Sequence, residues 1–511
     1  MFAFEDRKAD VLVIGAGAAG VRAALAASHT GAEVTLVSKG PITKSGSSFS
    51  SLSGGWGIQA LVGTERTEQN LEDFYNDIIE AGLGVCDPGL ARILVEESGP
   101  RLQDLLAYGL LLRKDDKGKP LRVKGCFSHS ERAFLTENVS NIRETFQTML
   151  NASGAKVLVG AAAELIVLQG GCRGAWLVTS DRRIVRVMAQ ATVLATGGGA
   201  GLFEDHLASE HETGEGYALA HHAGAELKNL EFIQFMLGIK ENGRRRFLPL
   251  SELDGPGALL DSDGRDIIMK HIQGEENRKR AVEERMAHHP FSTRDSSYLI
   301  DLGLAKTRSA GKRAFWRNGN PAAKRAEVAH MAHAFNGGAA FNDNGETTVP
   351  GLFAAGEVAA GPHGADRIGG CMMTATQVFG ERAGRSAATR AMKKRTMPVA
   401  SPPSEILLKK DPEEKRSCSR NLEALAMARD VFSRELMVLR NRRGLEECLS
   451  TIEHSRQALV AESDQSILSL LTGEHMLTAM QLIAAAAFKR GESLGPHCRA
   501  DRGSTPDSPI V

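Results

Sequence analysis

The chain has 511 residues, 42% hydrophobic, 24% charged and only 5% aromatic, which is too long for one small core and ordinary for two or three packed domains. Lys plus Arg and Asp plus Glu both number 62, so no net field draws the molecule to nucleic acid or to a charged membrane. Clusters such as Arg244-Arg245-Arg246 and Lys393-Lys394-Arg395 read as solvated surface. Seven cysteines stand far apart without a C-x-x-C pair, which argues against a disulfide framework and against an iron–sulfur cluster held by this chain. The opening MFAFEDRKAD leads directly into a strand and leaves no room for a signal peptide. No run reaches the ~18 apolar residues of a membrane span. The expected location is the cytoplasm.

The stretch ADVLVIGAGAAGVRAALAASHTGAEVTLVSK predicts a buried strand over 11–14, a glycine turn, an alanine-rich helix and a second strand over 33–37. Gly15, Gly17 and Gly20 fall at G-x-G-x-x-G spacing between strand and helix, with Ala18 and Ala19 inside the motif. The first glycine permits the tight turn, the second lets backbone approach a pyrophosphate at the helix start, and the third lets helix and strand pack closely. The second strand ends in Ser38-Lys39 and not in the acid that binds a ribose hydroxyl. KSGSSFSSLSGGWG (44–57) follows, a loop of hydroxyls and free N–H groups suited to line a planar ring, or else a plain linker. Two later stretches, ATVLATGGGAGLF (191–203) and TVPGLFAAGEVAAG (348–361), are each a short apolar strand opening into a turn of small residues. Such returns resemble flavoproteins with two dinucleotide-binding domains, and imply FAD as cofactor with Glu357 near its ribityl chain.

Further motifs appear in order: TGEGYALAHHAGAEL (213–227), FSTRDSSYLI (291–300), HAFNGGAAFND (333–343), HGADRIGGCMMTATQVFGERAG (363–384) and SLGPHCRAD (493–501). With the glycine motif and the 44–57 loop, they resemble the flavoprotein family of fumarate reductase, succinate dehydrogenase and L-aspartate oxidase over nearly the whole chain. The resemblance implies cofactor contacts at Gly15, Gly17, Ala18, Ala19, Gly20, Ser38, Lys39, Ser47, Ser48, Gly54, Gly55, Ala195, Thr196, Gly197, Glu215, Glu357, Met372 and Met373. In the respiratory members a histidine of the 44–57 loop carries the flavin covalently. Here the matching position falls near Ser48 and the loop has no histidine, so dissociable, non-covalent FAD is expected.

By the same resemblance, Arg294 in S-T-R-D is the residue that delivers or removes a proton at the substrate carbon. His333 and Arg367 hold a substrate carboxylate, Arg through a bidentate fork and His as a further donor. His330 beside His333 suggests a metal pair, but no third ligand follows at a sensible spacing, and no metal is expected. Fumarate and succinate have a second carboxylate, met in the family by a histidine in Q-F-H-P-T-G and a Thr-Glu pair. This chain has QFMLGI, with Met236 in that histidine's place, and Ser251-Glu252 standing in for Thr-Glu. A thioether cannot donate to an anion, so the substrate is expected to carry one carboxylate and a less polar far end. Core packing is the alternative role for Met236.

The fold expected is α/β: an FAD-binding Rossmann-like domain (1–235 and 335–395), an inserted α+β capping domain (236–334), a linker (396–417), a C-terminal helical domain (418–502) and a disordered tail (503–511). The C-terminal helices are expected at about 418–442, 443–461 and 465–490. The activity expected is an FAD-dependent hydride transfer to or from a carbon next to a carboxylate. An amino-acid or hydroxy-acid oxidase is the nearest variant. The rival reading is a flavin electron-transfer subunit serving a separate iron–sulfur partner.

Overall fold

The computed structural model describes residues 4–50, 52, 54–181, 183–254, 258–317, 325–393, 417–459 and 467–501. The first strand, β1 (Phe4–Ile14), begins earlier than apolarity alone suggests, and its apolar end at Val11, Leu12 and Val13 is fully buried. It leads into α1 (Ala18–His29) and then into β2 (Val34–Ser38), which lies parallel to β1. After α2 (Glu68–Gly82) come three long strands, β3 (Lys156–Leu168), β4 (Gly171–Thr179) and β5 (Ile184–Leu194), joined as an antiparallel meander. β5 also runs parallel to β1 along its whole length, from Phe4 opposite Ile184 to Ile14 opposite Leu194. The eight-residue helix α3 (Glu215–His222) follows.

A second, antiparallel sheet is formed by β6 (Ile233–Glu241), β7 (Arg244–Phe247), β8 (Leu259–Asp261), β9 (Ala314–Trp316) and β10 (Ala326–Phe335), in the order β7-β6-β10-β9-β8. Asn242 and Gly243 both take positive φ, 52° and 74°, the geometry that closes the tight β6–β7 hairpin. β6 spans the expected domain boundary at 235/236, so Met236 sits inside a strand. Residues Ile233 to Ile239 are all buried, because different cores take its side chains in turn. The helices α4 (Glu275–Ala287) and α5 (Tyr298–Ser309) pack beside this sheet. Between them Arg285 and Asp301, both without exposure, form an ion pair at 3.0 Å that His330 Nε2 joins at 2.9 Å from Asp301. Arg285 also donates to the carbonyls of His288 and His289 at 2.6 and 2.7 Å, which fixes the segment leading to Arg294.

The chain then returns to the first sheet as β11 (Leu352–Ala354), parallel to the end of β5. It continues as α6 (Cys371–Lys393), which lies against α1. The close approach depends on glycine: a Cβ on Gly384 would lie 2.2 Å from the Ala23 carbonyl oxygen. The last helices are α7 (Ser417–Glu435), α8 (Arg442–Ala458) and α9 (Ile467–Lys489). α7 ends seven residues short of the expected 442. Fully buried Arg440 donates to the carbonyls of Leu436 and Met437 at 3.3 and 3.0 Å and to that of Glu231 at 2.9 Å, so a side chain takes over where the helix ladder stops. Leu439–Arg440 pairs instead with Cys498–Arg499, and Asn441 caps α8. The expected linker lies, apart from Ser417, outside the described residues, as does the expected tail.

Candidate functional site

The carboxyl ends of β1, β2, β5 and β11 open on one groove with about 940 Å³ of free space, the place where open α/β sheets bind ligands. Gly15 takes φ 108°, and a Cβ there would sit 2.2 Å from the Ala195 carbonyl oxygen. A Cβ on Gly20 would sit 1.8 Å from the Gly15 oxygen, so this glycine serves the packing beneath the groove. Gly17 starts α1 without a capping side chain; the Ala18 N–H donates to Ser48 Oγ at 3.2 Å, and the helix start faces the groove. Ala19, Ser38, Lys39, Ser47, Ala195, Thr196, Gly197, Glu215, Glu357, Met372 and Met373 line the same groove. Lys39 is paired with Glu215 at the start of α3. Gly54 and Gly55 lie elsewhere: Gly54 is exposed, and a Cβ on Gly55 would come within 2.9 Å of Thr136 Oγ1.

Several lining residues carry no motif signal. Gly160, Ala161 and Ala162 enter from β3, brought in by its pairing with β2. Glu212 precedes the TGEG motif and accepts the Ser47 N–H at 3.2 Å. Burial pushes its carboxyl up to about 6. Glu357, which accepts the Phe335 N–H at 2.9 Å, is raised well above the carboxylate range by burial and by the nearby Glu212. Small residues, a helix start at the groove wall and a glycine turn that a Cβ would fill together suit the long, phosphate-bearing body of a dinucleotide.

A second cluster lies where β6, β10 and the 363–371 segment meet. Arg367 is 7% exposed and donates to Gln234 Oε1 at 2.5 Å and to the Ile368 carbonyl at 3.4 Å; its Nε has no partner among the described residues. Among the described residues it makes no ion pair. His333, half-buried on β10, is lowered to about 4 by burial and then by the charge of Arg367, and its Nδ1 is unpartnered. The Phe247 ring stands edge-on to both His333 and His289, at 5.5 and 5.7 Å between centroids. His289, which no motif singled out, is likewise lowered to about 4, by burial first and by Arg285 next, and its backbone N–H donates to Cys126 Sγ at 3.4 Å. Met236, 6% exposed, packs with Leu207, Ala329 and Met331 against Phe247. It therefore adjoins the ring that separates the two histidines. Buried His363 is also neutral, held well below its usual range by burial and by Arg367.

Arg294 sits over the Phe127 ring at 5.0 Å, and its Nη2 lies 3.4 Å from Glu80 at the end of α2. Its backbone N–H donates to Ser292 Oγ at 3.3 Å, and Ser292 donates to Asp366 at 2.6 Å, which ties Arg294 to the segment that carries Arg367. Burial raises Asp366 to about 7. Asp295, next in the chain, lies 3.0 Å from His288 Nε2. Ser251 and Glu252 are both exposed, on a short turn after β7.

The sheet order and the glycine-lined groove define a dinucleotide-binding fold. The profile of the FAD binding domain family matches residues 10–373. One subunit of the fumarate reductase (CoM/CoB) of Methanothermobacter marburgensis is 30% identical over 96% of this chain and 94% of its own length. The L-aspartate oxidase of Caulobacter vibrioides is 29% identical over 97% and 93%. A solved structure of E. coli quinol fumarate reductase superposes with a TM-score of 0.79 at 19% identity, covering 99% of this chain and 93% of that one, which is a likeness of fold. The chain belongs to the FAD-binding flavoprotein family of fumarate reductase, succinate dehydrogenase and L-aspartate oxidase, and is an FAD-dependent oxidoreductase of that type. No helix among the described residues is long and apolar enough to cross a membrane.

Proposed function

We propose that the protein moves a hydride between FAD and a carbon next to the carboxylate of an acid whose far end is apolar. The observation that carries this reading is Arg367, a buried guanidinium without a carboxylate partner among the described residues. A buried charge left unpaired costs several kcal/mol as an order of magnitude, so the site is built for an anion. Gln234 holds the fork in place through the 2.5 Å hydrogen bond and His333 offers its free Nδ1. The neutral His289, the Phe247 ring and Met236 offer no second charge, which disfavours a dicarboxylate. Bound FAD supplies or accepts the hydride. Arg294 handles the matching proton, exchanging it through Glu80 at the protein surface. The second sheet with its helices serves as the cap that excludes water during this step.

The groove lining from Gly15 to Met373 would hold FAD without a covalent bond, since no histidine lies between Lys44 and Gly57. The six described cysteines are free, in keeping with a reducing, cytoplasmic setting. A separate iron–sulfur electron-transfer partner belongs to the proposal as well, since the fumarate reductase relative is named as one subunit of an enzyme. Photoreduced protein titrated with crotonate, cinnamate and fumarate tests the substrate class by the return of flavin absorbance. A monocarboxylate is expected to reoxidise the flavin faster than fumarate. If no acid does so while an iron–sulfur protein does, the electron-transfer reading replaces this one.

A further inference from the structure

Two carboxylates of the cofactor groove have no ion-pair partner among the described residues. Glu212 is 5% exposed; Oε1 accepts the Ser47 N–H, and its buried Oε2 has no hydrogen-bond partner among the described residues. Glu357 accepts the Phe335 N–H through Oε1 at 2.9 Å. They flank a single turn: a Cβ on Gly197 would lie 3.4 Å from Glu212 Oε1, and a Cβ on the neighbouring Gly198 would lie 2.2 Å from Glu357 Oε1. Among the described residues neither makes an ion pair: the nearby Lys39 is paired with Glu215, and Arg367 donates to the neutral Gln234. The other groups that face the pair are buried Tyr217 on α3, whose hydroxyl donates to the Glu357 carbonyl at 3.3 Å, and His211 at the groove wall. Arg367 draws the Glu357 carboxyl down, by less than burial and Glu212 push it up.

Like charges in one desolvated site resist ionising together, and they titrate as a pair. FAD brings an anionic diphosphate into the same groove and adds to the negative charge. We propose that FAD binding takes up a proton at the Glu212–Glu357 pair, so that the holoprotein keeps a neutral acid in the groove and sheds its cofactor as the pH rises. Glu212, at about 6 in the cofactor-free chain, is the member whose ionisation the bound diphosphate opposes. The sign follows from linkage: the bound form holds the proton more tightly, so affinity is full below the value of the free chain and falls as pH rises above it. Glu212 is thereby a cofactor-binding residue outside every motif, acting as a hydrogen-bond donor in its protonated form.

The test is the dissociation constant of the full-length apoprotein for FAD, read by quenching of flavin fluorescence in steps of pH from 6 to 8.5. The wild type is expected to weaken by roughly tenfold or more across the range, and Glu212→Gln, a permanent neutral donor, to stay flat. Isothermal calorimetry of the wild type in buffers of different ionisation enthalpy should show uptake of about one proton on FAD binding, a readout that does not depend on the variant folding. A flat wild-type profile, an unchanged slope in Glu212→Gln, or binding without proton uptake overturns the proposal. Flavin that stays with acid-precipitated protein overturns it too, since a tethered cofactor has no dissociation for the proton to govern. A pH-flat but dissociable FAD leaves the substrate reading above untouched.

Discussion

In the cofactor groove the chain presents mainly backbone and small side chains, supplied by the turns that end β1, β5 and β11. Around Arg367 it presents large polar and aromatic side chains drawn from segments scattered between Cys126 and Arg367. The groove is shaped by what is missing, since a Cβ at Gly15 or Gly20 would strike backbone. The pocket is shaped by what is present but unpaired, chiefly the free faces of Arg367 and His333. The frame that holds the cofactor therefore depends on local chain geometry, whereas substrate choice depends on side chains brought together from distant segments.

This contrast can be broken at either end. The largest effect is expected at Arg294→Ala, with turnover lowered by about 10³-fold and flavin content unchanged, because general acid–base groups contribute on that scale. Retained turnover would take Arg294 out of the mechanism. Gly20→Val strikes the other region: its Cβ has nowhere to go, and thermal unfolding should show a loss exceeding ~3 kcal/mol together with failure to incorporate flavin. Normal flavin loading of a stable Gly20→Val protein would show that the turn yields more easily than its geometry implies. Arg367→Gln keeps the shape and removes the charge; the affinity for a monocarboxylate should fall by about 2 kcal/mol, roughly 30-fold, with the flavin spectrum of the free protein unaltered. An unchanged dissociation constant would mean that the carboxylate binds elsewhere. The smallest change is expected at Met236→His, which should improve dicarboxylate binding by a few-fold, on the order of 1 kcal/mol. Equal affinities in the two proteins would leave Met236 as packing for Phe247 alone.

The groove was the more legible region because its chemistry is local. Strand, turn and helix lie within thirty residues of each other in ADVLVIGAGAAGVRAALAASHTGAEVTLVSK, and the spacing of Gly15, Gly17 and Gly20 is itself the mechanism. Fifteen of the eighteen expected cofactor residues line one groove; Gly20 lies beneath it, while Gly54 and Gly55 lie apart. Glu212 and the Gly160–Ala162 strand were not readable, since a lone glutamate before a TGEG turn and three small residues in a strand have no pattern of their own. The helix break at Glu435 was missed because the periodicity of α7 says nothing about Arg440, whose partners arrive from Glu231 and from the C-terminal end of the chain.

What the sequence by itself determined is therefore the nucleotide-binding frame and the family of chemistry, because glycine spacing and strand–turn–helix order act through neighbouring residues. Only the tertiary structure decided the surroundings of that chemistry. It set His289 and His333 about one ring, left Ser251 and Glu252 exposed, gave Arg294 the partner Glu80, and brought Glu212 opposite Glu357. Each of these depends on residues tens to hundreds of positions apart. Their mutual electrostatics exist only once packing has removed the water between them.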